Sequence, residues 1–457
     1  MGSLYKVFFF IISKFVINNC MFPQNSLKNI ANFDKYFLIY LLILGFCALV
    51  FLFSKHTVGN DSTISEWLIN YQGGLTRRGL IGEICFHVAK FFKSDLRFTI
   101  FIFQFFSYLS FLYLTYKFFK GLDINIVALF SIFSPIFLLF PIAEIEVLAR
   151  KEVFLYIYFL VFLFISDPSS RFHKYVNSYI FLITPIVCLI YEEVILFFPF
   201  LVSCLVIQRK TKTFINFFKI CSLFTPSILI VLYFFFFPLS LENHELMKQS
   251  LLINFNERCY MSCALLTVND INQFGTIIDS MYSQRTSLEI FSYIIRYLLI
   301  ILFGFLPLFL LCKNSKLNDQ NIFSNFKLDN ILFLLLFLLI PILPLFVFAY
   351  DWGRWVGMMI TFSTFFYFFL YKFKYISTNF NNISNKLIYF KNKKKLLIFI
   401  FIIFAFGWNQ KTLMKGDVAT NPLWKVPYNT SKIVFGFQSF KLFQDSPIII
   451  WHKKNIE

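Results

Sequence analysis

Apolar runs recur from Tyr36 to Trp408, many of them about 20 residues long, the length that crosses a bilayer's hydrocarbon core. The pattern predicts roughly eleven spans, near 36–54, 98–116, 124–141, 153–166, 176–190, 193–207, 220–238, 291–312, 330–349, 355–371 and 395–408. The expected fold class is therefore all-α, a polytopic transmembrane helical bundle. A single membrane domain, 36–408, carries a first outer loop at 55–97 and a large outer loop at 239–290. A cytoplasmic or interfacial N-terminus, 1–35, precedes it, and an extracytoplasmic tail, 409–457, follows. The apolar stretch Val7–Ile12 is short and soon meets Lys14, so it reads as an interfacial piece rather than a cleaved signal peptide. Neither an internal repeat nor a Gly/Ser-rich linker divides the chain.

Composition agrees with the pattern. The chain has 457 residues, 58% of them hydrophobic and 14% charged, with a mean hydropathy of +0.70, which excludes an ordinary soluble domain. Its 70 Phe, with many Ile, Asn and Lys, fit a gene of low GC content and say little about function. A net charge of +18 raises the question of nucleic acid or a membrane surface. The excess is mostly Lys in short loops between apolar runs, and no nucleic-acid module occurs, so the expected partner is the lipid bilayer. With the N-terminus cytoplasmic, inner segments hold Lys6 to Lys35, Lys117, Lys120, Arg209 to Lys212 and Lys372 to Lys395, as the positive-inside tendency requires. Every Glu then falls outside, while the inner loops keep a few Asp such as Asp34, Asp123, Asp319 and Asp329. Arginine departs from Lys: only Arg171 and Arg209 fall inside, whereas Arg77, Arg78, Arg97, Arg150, Arg258, Arg285, Arg296 and Arg354 fall outside.

Charges at the ends of the apolar runs form four clusters, all expected on one side: Asp61 with Glu66, Arg77 and Arg78; Glu144 with Glu146, Arg150, Lys151 and Glu152; Glu192 with Glu193; and Asp351 with Arg354. Ionisable groups at a membrane boundary point to a site. In the first outer loop Gly73 and Gly74 permit tight turns close to a ligand. Leu80, Ile81, Ile84, Cys85, Val88, Phe91 and Phe92 then recur at helical spacing, opposite Glu83, His87, Lys90 and Lys93. This is an amphipathic helix expected to lie along the membrane surface, and the segment lacks the spacing of a P-loop. The outer arginines have two readings: pairing with nearby acids, or binding phosphate or carboxylate through their planar fork of donors. Trp67, Trp352, Trp355, Trp408, Trp424 and Trp451 are likewise either an interfacial belt or stacking platforms for sugar faces. Cys259 and Cys263 are candidates for a disulfide in an oxidising compartment. The five His are scattered, which argues against a zinc site.

In layout, with many spans, an acid-bearing first outer loop, a surface helix and further charges at outer helix ends, the chain resembles the GT-C class of membrane glycosyltransferases. The related bacterial polysaccharide polymerases and ligases are a second similar group. The resemblance implies a polyprenyl-linked sugar donor, a glycan acceptor and a catalytic acid in the first outer loop, a role that falls by position on Asp61 or Glu66. Sugar transfer needs a carboxylate to take the acceptor's proton or steady charge at the anomeric carbon. It also needs cations for the departing phosphate. The expected roles are Asp61 or Glu66 as base, Arg77, Arg78 and Arg354 on the phosphate, Arg150 in the same substrate cleft, and Trp352 or Trp355 stacking on sugar. Asp351 or Glu192 would orient the acceptor or help bind a divalent cation. A transporter or flippase of lipid-linked saccharides is the rival class, disfavoured by charges at one face and by the lack of an inverted repeat. The expected location is a bacterial inner (plasma) membrane.

Overall fold

The computed structural model describes residues 26–57, 62–211, 213–259, 261–267, 275, 279, 282–283, 285–318, 330–379, 394–413 and 419–434. In chain order its helices begin with α1 (Ser26–Thr57), α2 (Ser62–Leu68), α3 (Gly79–Phe92), α4 (Leu96–Phe119), α5 (Ile126–Ile132), α6 (Phe140–Ala143) and α7 (Ile145–Leu148). They continue with α8 (Glu152–Ile165), α9 (Val176–Ile190), α10 (Phe198–Gln208), α11 (Phe214–Ser222), α12 (Thr225–Phe236), α13 (Leu241–Phe255), α14 (Met261–Ala264) and α15 (Ser287–Lys313). Strand β1 (Ser315–Leu317) precedes α16 (Ile331–Leu339), α17 (Leu345–Phe348) and α18 (Trp352–Lys372), and β2 (Ile376–Thr378) follows them. The last elements are α19 (Lys394–Phe406), β3 (Asn409–Gln410), β4 (Ala419–Thr420) and α20 (Pro422–Val434).

The chain is thus an all-α protein. Among the described residues, five segments are long and apolar enough to cross a membrane: Phe33–Thr57, Leu96–Phe119, His173–Ile190, Ser287–Lys313 and Ile331–Phe348. The pair α11 and α12 makes a sixth if its 56° bend counts as one broken span. Outward faces of these helices expose Leu42, Phe106, Leu182, Phe235 and Leu302, a surface suited to lipid rather than water. Helical structure falls on each of the other expected spans: α18 is unbroken over 21 residues, and the rest are shorter or interrupted. The run at 124–141 is α5, a set of turns and then α6, because Pro135 has no N–H to continue the ladder. Pro226 likewise cannot donate to Ser222, and the bend between α11 and α12 falls there.

Helix α18 is the axis of the bundle. Trp352 to Leu370 are buried without a break, the signature of a helix enclosed on all sides. Its Phe362 ring stacks on Phe197 at 4.1 Å and on Phe159 at 4.7 Å, and Phe365 meets Phe118, Phe119 and Phe137. Much of the phenylalanine content therefore serves dispersion packing. β1 and β2 pair antiparallel, with Ser315 opposite Thr378, which ties together the C-terminal ends of α15 and α18. At that same end Lys372 Nζ donates to Phe118 O at 2.6 Å and Tyr371 to Asp123 O at 3.1 Å. The opposite end gathers residues 62–95, 144–152, 191–197, 239–259, 261–267, 285–289, 407–413 and 419–434, and with them every described Glu.

Two of the expected outer segments are built into the fold. In the large loop, α13 and α14 cover the first loop: Ser262 Oγ donates to Ser62 O at 2.6 Å, and Arg97 holds Glu257. Cys259 and Cys263 are joined as a disulfide. Beyond residue 408, β3 and β4 pair, Thr412 O accepts from Gly353 N at 3.0 Å, and α20 packs on α1. Residues 409–413 and 419–434 therefore pack on the bundle. Residues 1–25, which include Val7–Ile12, lie outside the described residues.

Candidate functional site

Helix α2 is short, yet Thr63 through Leu68 are all buried, because α3 packs on it from one side and α14 from the other. Glu66 is 0% exposed. Beside it, Trp67 Nε1 and Gln104 Nε2 both donate to Ala149 O, at 2.7 and 2.9 Å, fixing the turn that carries the next two cations. Arg150 Nη1 donates to Glu66 Oε2 at 3.0 Å, and Lys151 Nζ donates to Arg78 O at 2.6 Å.

Arg78 enters from the first loop in the left-handed region, with φ 62°. A non-glycine residue there costs about 1–2 kcal/mol, so surrounding contacts must hold it. Gly73 brings the loop against α13, where an added Cβ would lie 1.9 Å from Asn243 O. Arg78 Nε then donates to both Glu192 oxygens at 2.9 Å, and its Nη2 to Glu193 Oε1 at 2.8 Å. Its Nη1 lies 3.6 Å from Glu66 Oε1, and the guanidinium sits over the Tyr191 ring at 4.6 Å.

Tyr191 joins this half of the network to the other. Its hydroxyl accepts from Arg354 Nη2 at 2.8 Å and donates to Glu152 Oε1 at 3.2 Å. Arg354 Nε donates to Glu152 Oε1 at 2.7 Å, and a further guanidinium nitrogen donates to Asp351. The network combines Arg77, Arg78, Arg150, Lys151 and Arg354 with Glu66, Glu152, Glu192, Glu193 and Asp351, so its formal charges cancel. Coordination is incomplete: buried Glu66 Oε1, Glu152 Oε2, Glu193 Oε2, Arg150 Nε and Trp355 Nε1 have no hydrogen-bond partner. Such groups ordinarily meet water or a ligand.

The carboxylates differ in charge. Burial pushes Glu66 up, but Arg150, Arg78, Arg354 and Lys151 together outweigh it and hold the carboxyl below its usual range. At Glu193 burial dominates. Arg78 and Arg354 pull the other way, Glu192 and Glu152 reinforce burial, and the carboxyl comes to about 7. One acid is ionised and its neighbour is poised to exchange a proton near neutral pH.

The structure thus brings together Glu66, Arg77, Arg78, Arg150, Glu192, Asp351 and Arg354. Asp61 lies outside the described residues. Arg77 is the least committed arginine, its side chain 29% exposed, donating to Leu265 O at 2.6 Å and 3.9 Å from Glu192. The tryptophans differ from expectation. Trp352 is packed against Tyr297 and Phe346, and Trp355 lies under the Arg354 guanidinium at 4.9 Å; both are buried, so neither offers an open face to a sugar. Their place at the start of the enclosed α18 explains this. The sequence assigns no individual role to Glu193, Glu152, Lys151 or Tyr191, which the fold places in the network. The Tyr191-Glu192-Glu193 triplet between two apolar runs was the available signal. Among the described residues no group of three or more His, Cys, Asp or Glu is placed to hold a metal ion.

The class these features define is an all-α bundle with helices able to span a membrane and a partly unsatisfied ion network at one end. Comparison with known protein families, characterised proteins and solved structures finds no match.

Proposed function

We propose that the chain is a membrane glycosyltransferase that uses a polyprenyl-phosphate-linked sugar donor at the extracytoplasmic face of a bacterial inner membrane, in the synthesis of a cell-envelope glycan. The observation that carries this reading is the buried Glu66 carboxylate, with Arg150 on one oxygen and the other left without a hydrogen bond inside a ring of cations. The proposed topology keeps a cytoplasmic N-terminus and roughly eleven crossings, some made by short or broken helices. A lysine-rich opposite end and the Cys259–Cys263 disulfide on the site end both favour that orientation.

In the proposed reaction an acceptor hydroxyl attacks the anomeric carbon of the donor. The bond from that carbon to the phosphate oxygen breaks, its electron pair leaves with the polyprenyl phosphate, and the hydroxyl proton passes to a carboxylate. Ionised Glu66, or Asp61 just before α2, steadies the positive charge that grows at the anomeric carbon. Glu193 is the carboxylate whose protonation is best matched to taking the proton near pH 7. Arg77 meets the phosphate most readily, since Arg78 and Arg354 are already held by carboxylates. Asp351 and Glu192 orient these cations. Polymerisation or ligation of a lipid-linked saccharide would use the same chemistry.

The test is the pool of lipid-linked saccharides in a deletion strain complemented by wild type, Asp61→Asn or Glu66→Gln. Donor should accumulate at the outer face and be cleared by wild type only. Clearance by both variants at normal expression would refute the carboxylate role, and accumulation confined to the inner face would indicate a flippase instead.

A further inference from the structure

A second polar region runs inward from the ion network. Helix α20 buries Pro422, Lys425 and Asn429, spaced i, i+3 and i+7 on one stripe, while the apolar Leu423, Val426 and Ile433 are only half-buried beside it. Its inward side is therefore mixed, with the polar Lys425 and Asn429 more deeply buried than the apolar side chains that pack on the core beside them. Lys425 Nζ meets Glu144 Oε1 at 2.7 Å. One turn further in, Asn429 is 1% exposed, and neither its amide nitrogen nor its oxygen has a hydrogen-bond partner.

The depth of this stripe is set by its neighbour. Thr430 Oγ1 donates to Cys47 Sγ at 3.7 Å. Cys47 precedes Thr57, the end of α1, by ten residues, about 15 Å along a helix. On α4, Tyr108 is 3% exposed and its hydroxyl also lacks a partner. Helix α4 packs along both α1 and α8, and the Tyr108 ring meets Phe111, which in turn meets Tyr156 of α8. A phenol on α4, a carboxamide and a hydroxyl on α20 and a thiol on α1 are thus neutral polar groups set within the bundle, and the phenol and carboxamide lack hydrogen-bond partners. An unpaired buried amide or phenol costs about 1–3 kcal/mol, and inward-facing polar groups in a membrane bundle mark water-filled or ligand-filled space.

We propose that α20, with Cys47 of α1 and Tyr108 of α4, walls a hydrated site for a neutral polyhydroxyl group, the sugar ring of a saccharide substrate. Neutral donors and acceptors suit sugar hydroxyls, and a phosphate would find no free cation on this lining. The inference deepens the glycosyltransferase reading by giving the sugar a seat, but its test reads accessibility rather than turnover, so the two can fail separately.

Cys47 is a built-in reporter. The full-length protein in lipid nanodiscs is treated with methanethiosulfonate ethylammonium, and labelling is followed by peptide-resolved mass spectrometry. Cys204 and Cys312, fully buried on α10 and α15, serve as internal references. Cys47 should react at least tenfold faster than both, and at least one sugar in a panel of free hexoses and N-acetylhexosamines should slow it threefold or more. Asn429→Leu should cut the Cys47 rate about tenfold with the reference cysteines unchanged, while Asn429→Gln retains it. A Cys47 rate equal to the references would overturn the hydrated site. Fast labelling that no sugar slows would overturn the sugar assignment, and an unchanged rate in a folded Asn429→Leu variant would remove α20 from the lining.

Discussion

Glu66 and Glu193 stand a few ångströms from the same guanidinium and yet carry different protons, because Glu66 faces four cations while Glu193 is ruled by burial. That contrast makes two predictions. Glu66→Gln should lower transferase activity 10²-fold or more, a magnitude typical of a lost catalytic carboxylate, in a membrane assay with lipid-linked donor. For Glu193 the folded-state pKa is raised to about 7, so its protonated form is the one favoured by folding. Its stabilising effect is complete below the ordinary carboxylate pKa and is lost as pH rises through 7. Wild type should therefore lose about 1–3 kcal/mol between pH 5 and pH 8 relative to Glu193→Gln, given about 1.4 kcal/mol per pKa unit. Thermal unfolding of both proteins at the two pH values checks this, and a difference independent of pH would refute it. The charges themselves were legible in the sequence as interruptions of apolar runs. Their pairing was not: Arg150 finds Glu66 across 84 positions and Arg354 finds Glu152 across 202.

Short elements hold the site more than long ones do. α2 has seven residues, and α3 approaches it closely at Gly82, where a Cβ would sit 1.8 Å from Ile69 O. Gly73 plays the same part between the first loop and α13. Gly73→Ala should therefore force the loop off α13, since the obstacle is backbone and cannot rotate away. Limited proteolysis should cut within 70–78 faster in the variant, while the span helices keep their circular dichroism; equal cutting would show that the loop tolerates the shift. Breaking the ion network from α18 should cost more. Arg354→Met strands Glu152 without its main partner, a loss of about 3–5 kcal/mol for a buried pair. The double variant Arg354→Met/Glu152→Gln should recover much of it in detergent unfolding curves. The amphipathic helix at 79–92 was visible from its period, and α3 occupies that range. The breaks at Pro135 and Pro226 were also readable in principle, whereas the inward polar stripe of α20 was hidden in a segment with no apolar run to flag it.

Across the whole molecule, charge separates along the bundle axis, with every described Glu at one end and lysines such as Lys120 and Lys372 at the other. The proposed orientation predicts that a cysteine at Gln72, on the site end, is labelled by an impermeant maleimide in intact cells. One at Ser169, between α8 and α9, should react only after the membrane is opened. The reverse pattern would invert the topology and exclude an extracytoplasmic site. Sequence alone determined the class, because long apolar runs must form helices that satisfy their own backbone hydrogen bonds. It also placed the charged clusters together at one end, where the ion network joins them. Tertiary structure decided what those loops do. Only packing shows that Trp352 and Trp355 serve the core, that Arg78 and Arg354 are held by carboxylates, and that α20 returns to pack on the bundle. The physical reason is that a local pattern fixes a helix and its faces, whereas the protonation and availability of a side chain depend on groups brought near it from far along the chain.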